Sequence, residues 1–246
     1  MSFTRSAGYT TPGKLTVTGA GSASMSSKPP ILILDPSNSA SYPGTGTTYT
    51  DLSGFGHNFT KNSGTFISSP IKCFQAGLFS TLTGNFITGD LSIQAWINTT
   101  GAGTQVSLHY RLMQIMSAEI AGNPGNPTDF GFGIGSTGRL VFGNGPSDIS
   151  VSSTVAVNTG VWLNVAVTRT NATGAVKLYI NGVLNSSGTT ASNRFLNVQP
   201  NLVIGQGTDG GTNWTGYMGS ITVYESVLPE TTVLANFTTS RATYGI

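Results

Sequence analysis

A single cysteine, Cys73, among 246 residues leaves no internal disulfide to staple the chain. It lies in Ile71-Lys72-Cys73-Phe74, a setting that reads as a buried and unreactive thiol. Charge is scarce as well. Only 8% of the residues are Asp, Glu, Lys or Arg, against about a quarter in ordinary proteins. The net charge of +2 is too small for a nucleic-acid footprint, so no specific nucleic acid is expected as a partner. Two histidines, His57 and His109, leave little for a Ser-His-Asp or Cys-His centre. Neither a phosphate-binding glycine loop nor zinc-ligand spacing occurs. No run is apolar and long enough to span a membrane, and residues 1–30 lack the apolar stretch of a secretory signal.

What is abundant points to strands and turns. Ser and Thr fill about a quarter of the chain, and there are 33 glycines. The most informative stretch is Trp162 to Thr190. Val161, Leu163, Val165 and Val167 alternate with Trp162, Asn164, Ala166 and Thr168, the period of a strand with two unlike faces. Asn171-Ala172-Thr173-Gly174 supplies a turn, and the alternation resumes at Val176, Leu178 and Ile180. Asn181-Gly182 accepts the positive φ angles of a type I′ turn, so Val183 and Leu184 begin a return strand. Val165, Val167, Leu178 and Ile180 are expected to face the core. Leu91 to Ile97, Leu112 to Ile120, Asp129 to Ile134, Gly138 to Phe142, Ser150 to Val157 and Leu202 to Gly205 read as further strands. Residues 98–111 read as a loop. Pro229 suits the first turn of a short helix, with Val233, Leu234 and Phe237 as its apolar side. Two domains of organisation are expected: a basic Gly/Ser/Thr/Pro-rich arm over 1–30, and an all-β domain over 31–246.

The motif Trp162-x-Asn164-Val165-Ala166-Val167-Thr168, followed by Lys177-Leu178-Tyr179-Ile180-Asn181-Gly182, resembles the central hairpins of concanavalin A-like domains. The laminin-G-like and pentraxin-like branches are the nearest in pattern. Leu91-Ser92-Ile93-Gln94-Ala95-Trp96-Ile97 resembles an early core strand of that family. Leu202-Val203-Ile204-Gly205 and Gly216-Tyr217-Met218-Gly219-Ser220-Ile221 resemble its closing strands. A second motif, Leu34-Asp35, Asn38, Ser41-Tyr42, Gly44, Gly46 and Asp51-Leu52-Ser53-Gly54, resembles the opening of such domains in phage, large DNA viruses and bacteria. Its Asp35 and Asp51 read as turn residues that bond backbone amides. The resemblance implies a two-sheet antiparallel jelly-roll sandwich with one short C-terminal helix. It leaves activity open, because the fold hosts lectins, hydrolases and structural modules.

Hydrolases of this family carry two carboxylates on one strand face, which alternation at i and i+2 supplies. Glu119, Glu225 and Glu230 have no acidic residue two positions away, so a non-enzymatic protein is expected. Sugars are held by aromatic faces together with Asn, Asp and backbone amides. On that chemistry the candidate carbohydrate-binding residues are Asp209, Asn213, Trp214, Tyr110 and Tyr42. Packing at a sheet edge competes with stacking for Trp214. Calcium occurs in related domains. The loop acids that would serve it are Asp129, Asp148 and Asp209, whose wide separation favours a metal-free domain. The charge-poor surface without an export signal fits a virion surface protein of a capsid, tail or fibre. Its expected partners are other virion proteins, or copies of itself through the 1–30 arm, and host glycans. The alternative is an extracellular carbohydrate-binding adhesion module.

Overall fold

The computed structural model describes residues 28–81, 86–87, 89–106, 108–118, 129–145, 150–194, 196, 202–207 and 211–246. Nearly all of the expected arm, including the Lys14 to Gly19 strand, lies outside the described residues. In chain order the strands are β1 (Leu32–Leu34), β2 (Thr48–Tyr49), β3 (Phe59–Ile67), β4 (Cys73–Thr81), β5 (Leu91–Asn98), β6 (Met113–Ser117) and β7 (Phe130–Ile134). They continue as β8 (Arg139–Asn144), β9 (Ser150–Ala156), β10 (Leu163–Arg169), β11 (Ala175–Ile180), β12 (Val183–Thr189), β13 (Val203–Ile204) and β14 (Tyr217–Tyr224). One helix, α1 (Glu230–Ser240), follows and runs into a 3-10 turn at Arg241–Tyr244. A second 3-10 turn, His109–Arg111, interrupts the segment expected to be loop.

The strand pairs are antiparallel and run in the order β12-β11-β10-β5-β14-β4-β13-β6-β7-β8-β9, with β1 on β14 and β2-β3 on β4. The expectation of two separate sheets is corrected here. β13 pairs with β4 through Val203↔Ser80 and with β6 through Val203↔Ser117, so one hydrogen-bonded path connects both halves. The ends of that path also meet. Thr154 N–H donates to Asn185 Oδ1 at 2.7 Å, and the Ser186 hydroxyl donates to Ser152 O at 2.7 Å. The result is a flattened, nearly closed barrel that leaves few free edges.

Alternation explains the core. Val165 and Val167 of β10 stand opposite Ala95 and Ile93 of β5, and these stand opposite Ile221 and Val223 of β14. All six are buried in one apolar cluster with Val176 and Leu178 of β11. Ile180 is partly buried against it. Val161 falls before the strand and is exposed. The β11–β12 reversal is the expected Asn-Gly turn, with φ of 51° at Asn181 and 77° at Gly182. Gly182 is also required sterically, since a Cβ there would sit 3.0 Å from Leu234 Cα. Leu178→Ala should lower unfolding free energy by about 3 kcal/mol, as for other buried leucines. Urea melts would read this, and a loss below about 1 kcal/mol would contradict the strand phase.

Helix α1 closes the outer face of β10, β5 and β14. Pro229 is its N-cap rather than its first residue, and Glu230 occupies the first turn, where a carboxylate favours the helix dipole. Val233 and Phe237, four apart, pack inward, whereas Leu234 is exposed. The three-residue apolar side read from sequence is therefore two residues wide. The outer face that α1 covers carries Ala166, Gln94, Trp96 and Tyr179, so these central strands are buried on both sides.

Candidate functional site

The aromatic residues expected to bind sugar do not form one exposed platform among the described residues. Trp214 is buried in the main core and offers no face to solvent. Tyr42 is buried as well, 4.8 Å from Phe74 between ring centroids, and its hydroxyl donates to Gly46 O at 2.9 Å. Each ring fills an apolar interior, so Trp214 takes the packing alternative and Tyr42 packs where stacking on a sugar was expected. Tyr110 is half-buried beside the Arg111 guanidinium, 5.7 Å from its ring centre. Asn213 is exposed, with Oδ1 accepting from Gly207 N–H. Asp209 lies outside the described residues.

Of the loop acids, only Asp129 lies among the described residues. Asp129 is buried, accepts from Gly145 N–H at 3.2 Å and faces His109 Nε2 at 3.4 Å. Asp148 is outside the described residues. Among the described residues, no three His, Cys, Asp or Glu side chains gather in a way that could hold a metal. The other described aspartates are held in turns. Asp35 accepts from the Ser37 amide and hydroxyl, and Asp90 accepts from Asn171 N–H at 2.8 Å. Asp51 accepts from Ile33, Ser53 and His57 amides and the Ser53 hydroxyl. The turn roles expected for Asp35 and Asp51 are what the structure shows.

The surface that does gather binding chemistry is the outer face of β10, β5 and β14. Tyr217 stands opposite Asn98 in the ladder, and Trp162 lies just before Leu163, which stands opposite Ile97. Trp162 and Tyr217 are both half-buried, with ring centres 6.5 Å apart. Together with Asn98, Ser69, Pro70 and Cys73 they line a cleft of about 230 Å³. Tyr244 props this cleft from the inside. Its ring lies 4.9 Å from Trp162 and 4.2 Å from Trp96 between centres, and it fills the space left by the missing side chain of Gly219. The Tyr244 hydroxyl accepts from Ser220 N–H at 2.8 Å, and burial pushes its pKa up to about 12. Burial also pushes the Cys73 thiol up to about 11, so it stays protonated and unreactive at neutral pH.

Further along the same face, under α1, lies a second cleft of about 260 Å³. Gln94, Trp96, Asn164, Ser220, Thr222 and Tyr224 form its floor, and Asn236 and Ser240 of α1 form one wall. The Trp96 indole N–H donates to Ser240 Oγ at 3.0 Å. Among the described residues, neither cleft is lined by a charged side chain. An uncharged lining of amides, hydroxyls and aromatic edges can hydrogen-bond and stack, but it offers no acid, base or nucleophile activated by a partner. Trp162, Asn98 and Tyr217 were not among the candidates from sequence. The signal was present nonetheless, since the two-residue period sets Trp162 and Asn164 on the face away from the core.

Residues 76–234 match the laminin G family model described as the concanavalin A-like lectin/glucanases superfamily. Among curated proteins no relative matches. The solved structures that resemble the chain include the receptor-binding domain of botulinum neurotoxin D, at 14% identity and a TM-score of 0.59 over 86% of this chain and 53% of that one. The binding domain of Paraclostridial Mosquitocidal Protein 1 matches at 15% identity and a TM-score of 0.57, over 85% of this chain and 52% of that one. The binding domain of botulinum neurotoxin DC, solved in complex with SialylT, matches at 16% identity and 0.59 over 86% and 51%. This chain spans about half the length of those chains, and at such identities the likeness is one of fold. The family match covers well over half of the chain, so this protein belongs to the concanavalin A-like lectin/glucanase superfamily.

Proposed function

We propose that this domain is a non-enzymatic carbohydrate-binding module, with Trp162, Tyr217 and Asn98 as its binding residues. The observation that carries the reading is the cleft itself: two half-buried aromatic rings flank an amide, and no charge lines the cleft. A pyranose has one apolar face and a polar rim, so a ring pair with an adjacent amide is complementary to it. The lectin-like fold supports this, as does the sugar-related chemistry of the neighbours. Cell entry of botulinum neurotoxin type C, one of them, is described as dependent upon interaction with two ganglioside molecules. The absence of alternating carboxylates supports a binding rather than a hydrolytic role. A glycan array tests the reading. The intact chain should bind at least one glycan, and Trp162→Ala should weaken binding at least about tenfold, or about 1.4 kcal/mol. Failure to bind any glycan overturns it.

A second reading sets this module on a virion surface, for host attachment. It is favoured by the charge-poor Ser/Thr/Gly composition and by the Asp35-to-Asp51 motif, which resembles the opening of such domains in phage, large DNA viruses and bacteria. The 1–30 arm is then the link to other virion proteins or to copies of this chain. Copurification with virus particles supports this reading, and recovery only as a secreted or cell-surface protein defeats it.

A further inference from the structure

The cleft under α1 contains a directional amide relay. Gln94 is only 5% exposed, and one end of its amide lies 3.3 Å from Val233 O. A backbone carbonyl only accepts, so that end is Nε2. The other end, Oε1, must then accept, and Asn236 Nδ2 donates to it at 2.6 Å while also reaching the Tyr224 hydroxyl at 3.1 Å. Gln94 Nε2 extends toward Asn164 Oδ1 at 3.5 Å. The orientation of Asn164 follows from the orientation of Gln94. Its Oδ1 faces the relay, and its Nδ2 is left on the cleft side without a partner among the described residues. Asn164 is 3% exposed, so this donor is held by its surroundings rather than free to rotate into water. Open to the cleft and fixed in direction, this donor can meet an acceptor on a ligand.

We propose that this cleft is a second carbohydrate subsite, which takes one uncharged sugar residue with a ring or hydroxyl oxygen on Asn164 Nδ2. The proposal rests on the glycan-binding reading and adds to it a separate place and a charge preference. At about 260 Å³ the space falls below the roughly 300–1,000 Å³ of clefts that hold drug-sized ligands, which suits a single ring. The Thr222 hydroxyl adds a further partner for a sugar hydroxyl. Among the described residues no cation lines the cleft, so the carboxylate of an acidic sugar would be desolvated there without compensation.

The test is a titration of the full isotopically labelled chain, read by amide NMR, with glucose, galactose, N-acetylglucosamine and sialic acid. The Asn164 side-chain amide, assigned by its loss in Asn164→Asp, reports the subsite. The Trp162 indole reports the aromatic cleft. A neutral sugar should shift the Asn164 amide. Thr239→Trp, at a cleft-lining position of α1 with no hydrogen bond to the relay, should weaken that response at least about tenfold and leave the Trp162 response in place. A Trp162 response without an Asn164 response overturns the subsite and leaves the function intact. An Asn164 response to sialic acid in preference to the neutral sugars also overturns the subsite as stated. Silence at both positions with every sugar overturns the subsite, and with an empty glycan array it overturns the function as well.

Discussion

Arg169→Met should lower the free energy of unfolding by about 3–5 kcal/mol, the usual cost of removing one member of a buried charged network. Arg169 ends β10 and is fully buried. Its guanidinium reaches three chain segments at once. Nη1 donates to Asn171 Oδ1 at 3.1 Å and to Gly89 O at 3.4 Å, and Nη2 donates to Ala191 O at 2.9 Å. Burial pulls its pKa down to about 10, and the nearby Asp90 opposes that fall, so the group remains charged at neutral pH. Methionine approximates the volume of the stem but takes the guanidinium donor from all three acceptors, leaving Ala191 O with Asn144 Nδ2, Asn171 Oδ1 with Arg194 N–H, and Gly89 O with none among the described residues. Those acceptors sit in the turns that lead into β5, out of β10 and out of β12. Arg169→Lys keeps the charge, but a single ammonium cannot reproduce the planar fork across three acceptors. It should recover only part of the loss. Guanidinium-chloride melts of the three proteins decide the matter. A loss under about 1 kcal/mol for Arg169→Met would mean that the turns hold without the cation.

Arg169 also shows where reading from the sequence stops. Its strand was legible, because Val165 and Val167 alternate with Ala166 and Thr168 and the Asn181-Gly182 turn fixes the next register. The inward face of β5, β10 and β11 was legible for the same reason. Exposure on the opposite face was not, because it depends on what covers that face. Trp162 and Trp214 look alike as aromatics with an Asn within two residues. One lines a cleft, whereas the other fills the core, and the difference lies in α1, in Tyr244 and in a two-residue strand. That strand, β13, is too short to show a period, yet it joins the two halves of the sheet. Leu234 matched the helical spacing, but α1 meets the sheet along Val233 and Phe237. The amide relay left no local signal either, since Gln94, Asn164 and Asn236 are brought together only by long-range pairing.

Asp51→Ala should cost about 3–5 kcal/mol, because each hydrogen bond to a charged group contributes about 1.5–3 kcal/mol. Asp51 ties the opening of the domain into one knot. Oδ1 accepts from Ile33 N–H at 3.0 Å and Ser53 N–H at 2.8 Å, and Oδ2 accepts from the Ser53 hydroxyl at 2.6 Å and His57 N–H at 3.0 Å. Leu52 N–H donates to Ile33 O at 2.9 Å and completes the junction between β1 and this turn. Burial alone would raise the carboxyl pKa. The hydrogen bonds from Ser53, Ile33 and His57 outweigh it and hold the carboxyl below its ordinary value. A carboxyl depressed in the folded state stabilises the fold above the ordinary carboxylate range, and that contribution is lost as pH falls through the folded pKa. Asp51→Asn keeps the shape but turns one acceptor into a donor, so it should be less stable than the native chain at neutral pH. The gap should narrow below about pH 4, where the native carboxyl takes up its proton. Thermal melts of both proteins from neutral to acidic pH provide the comparison. Parallel losses across the whole range would show that the Asp51 charge contributes nothing to holding the turn.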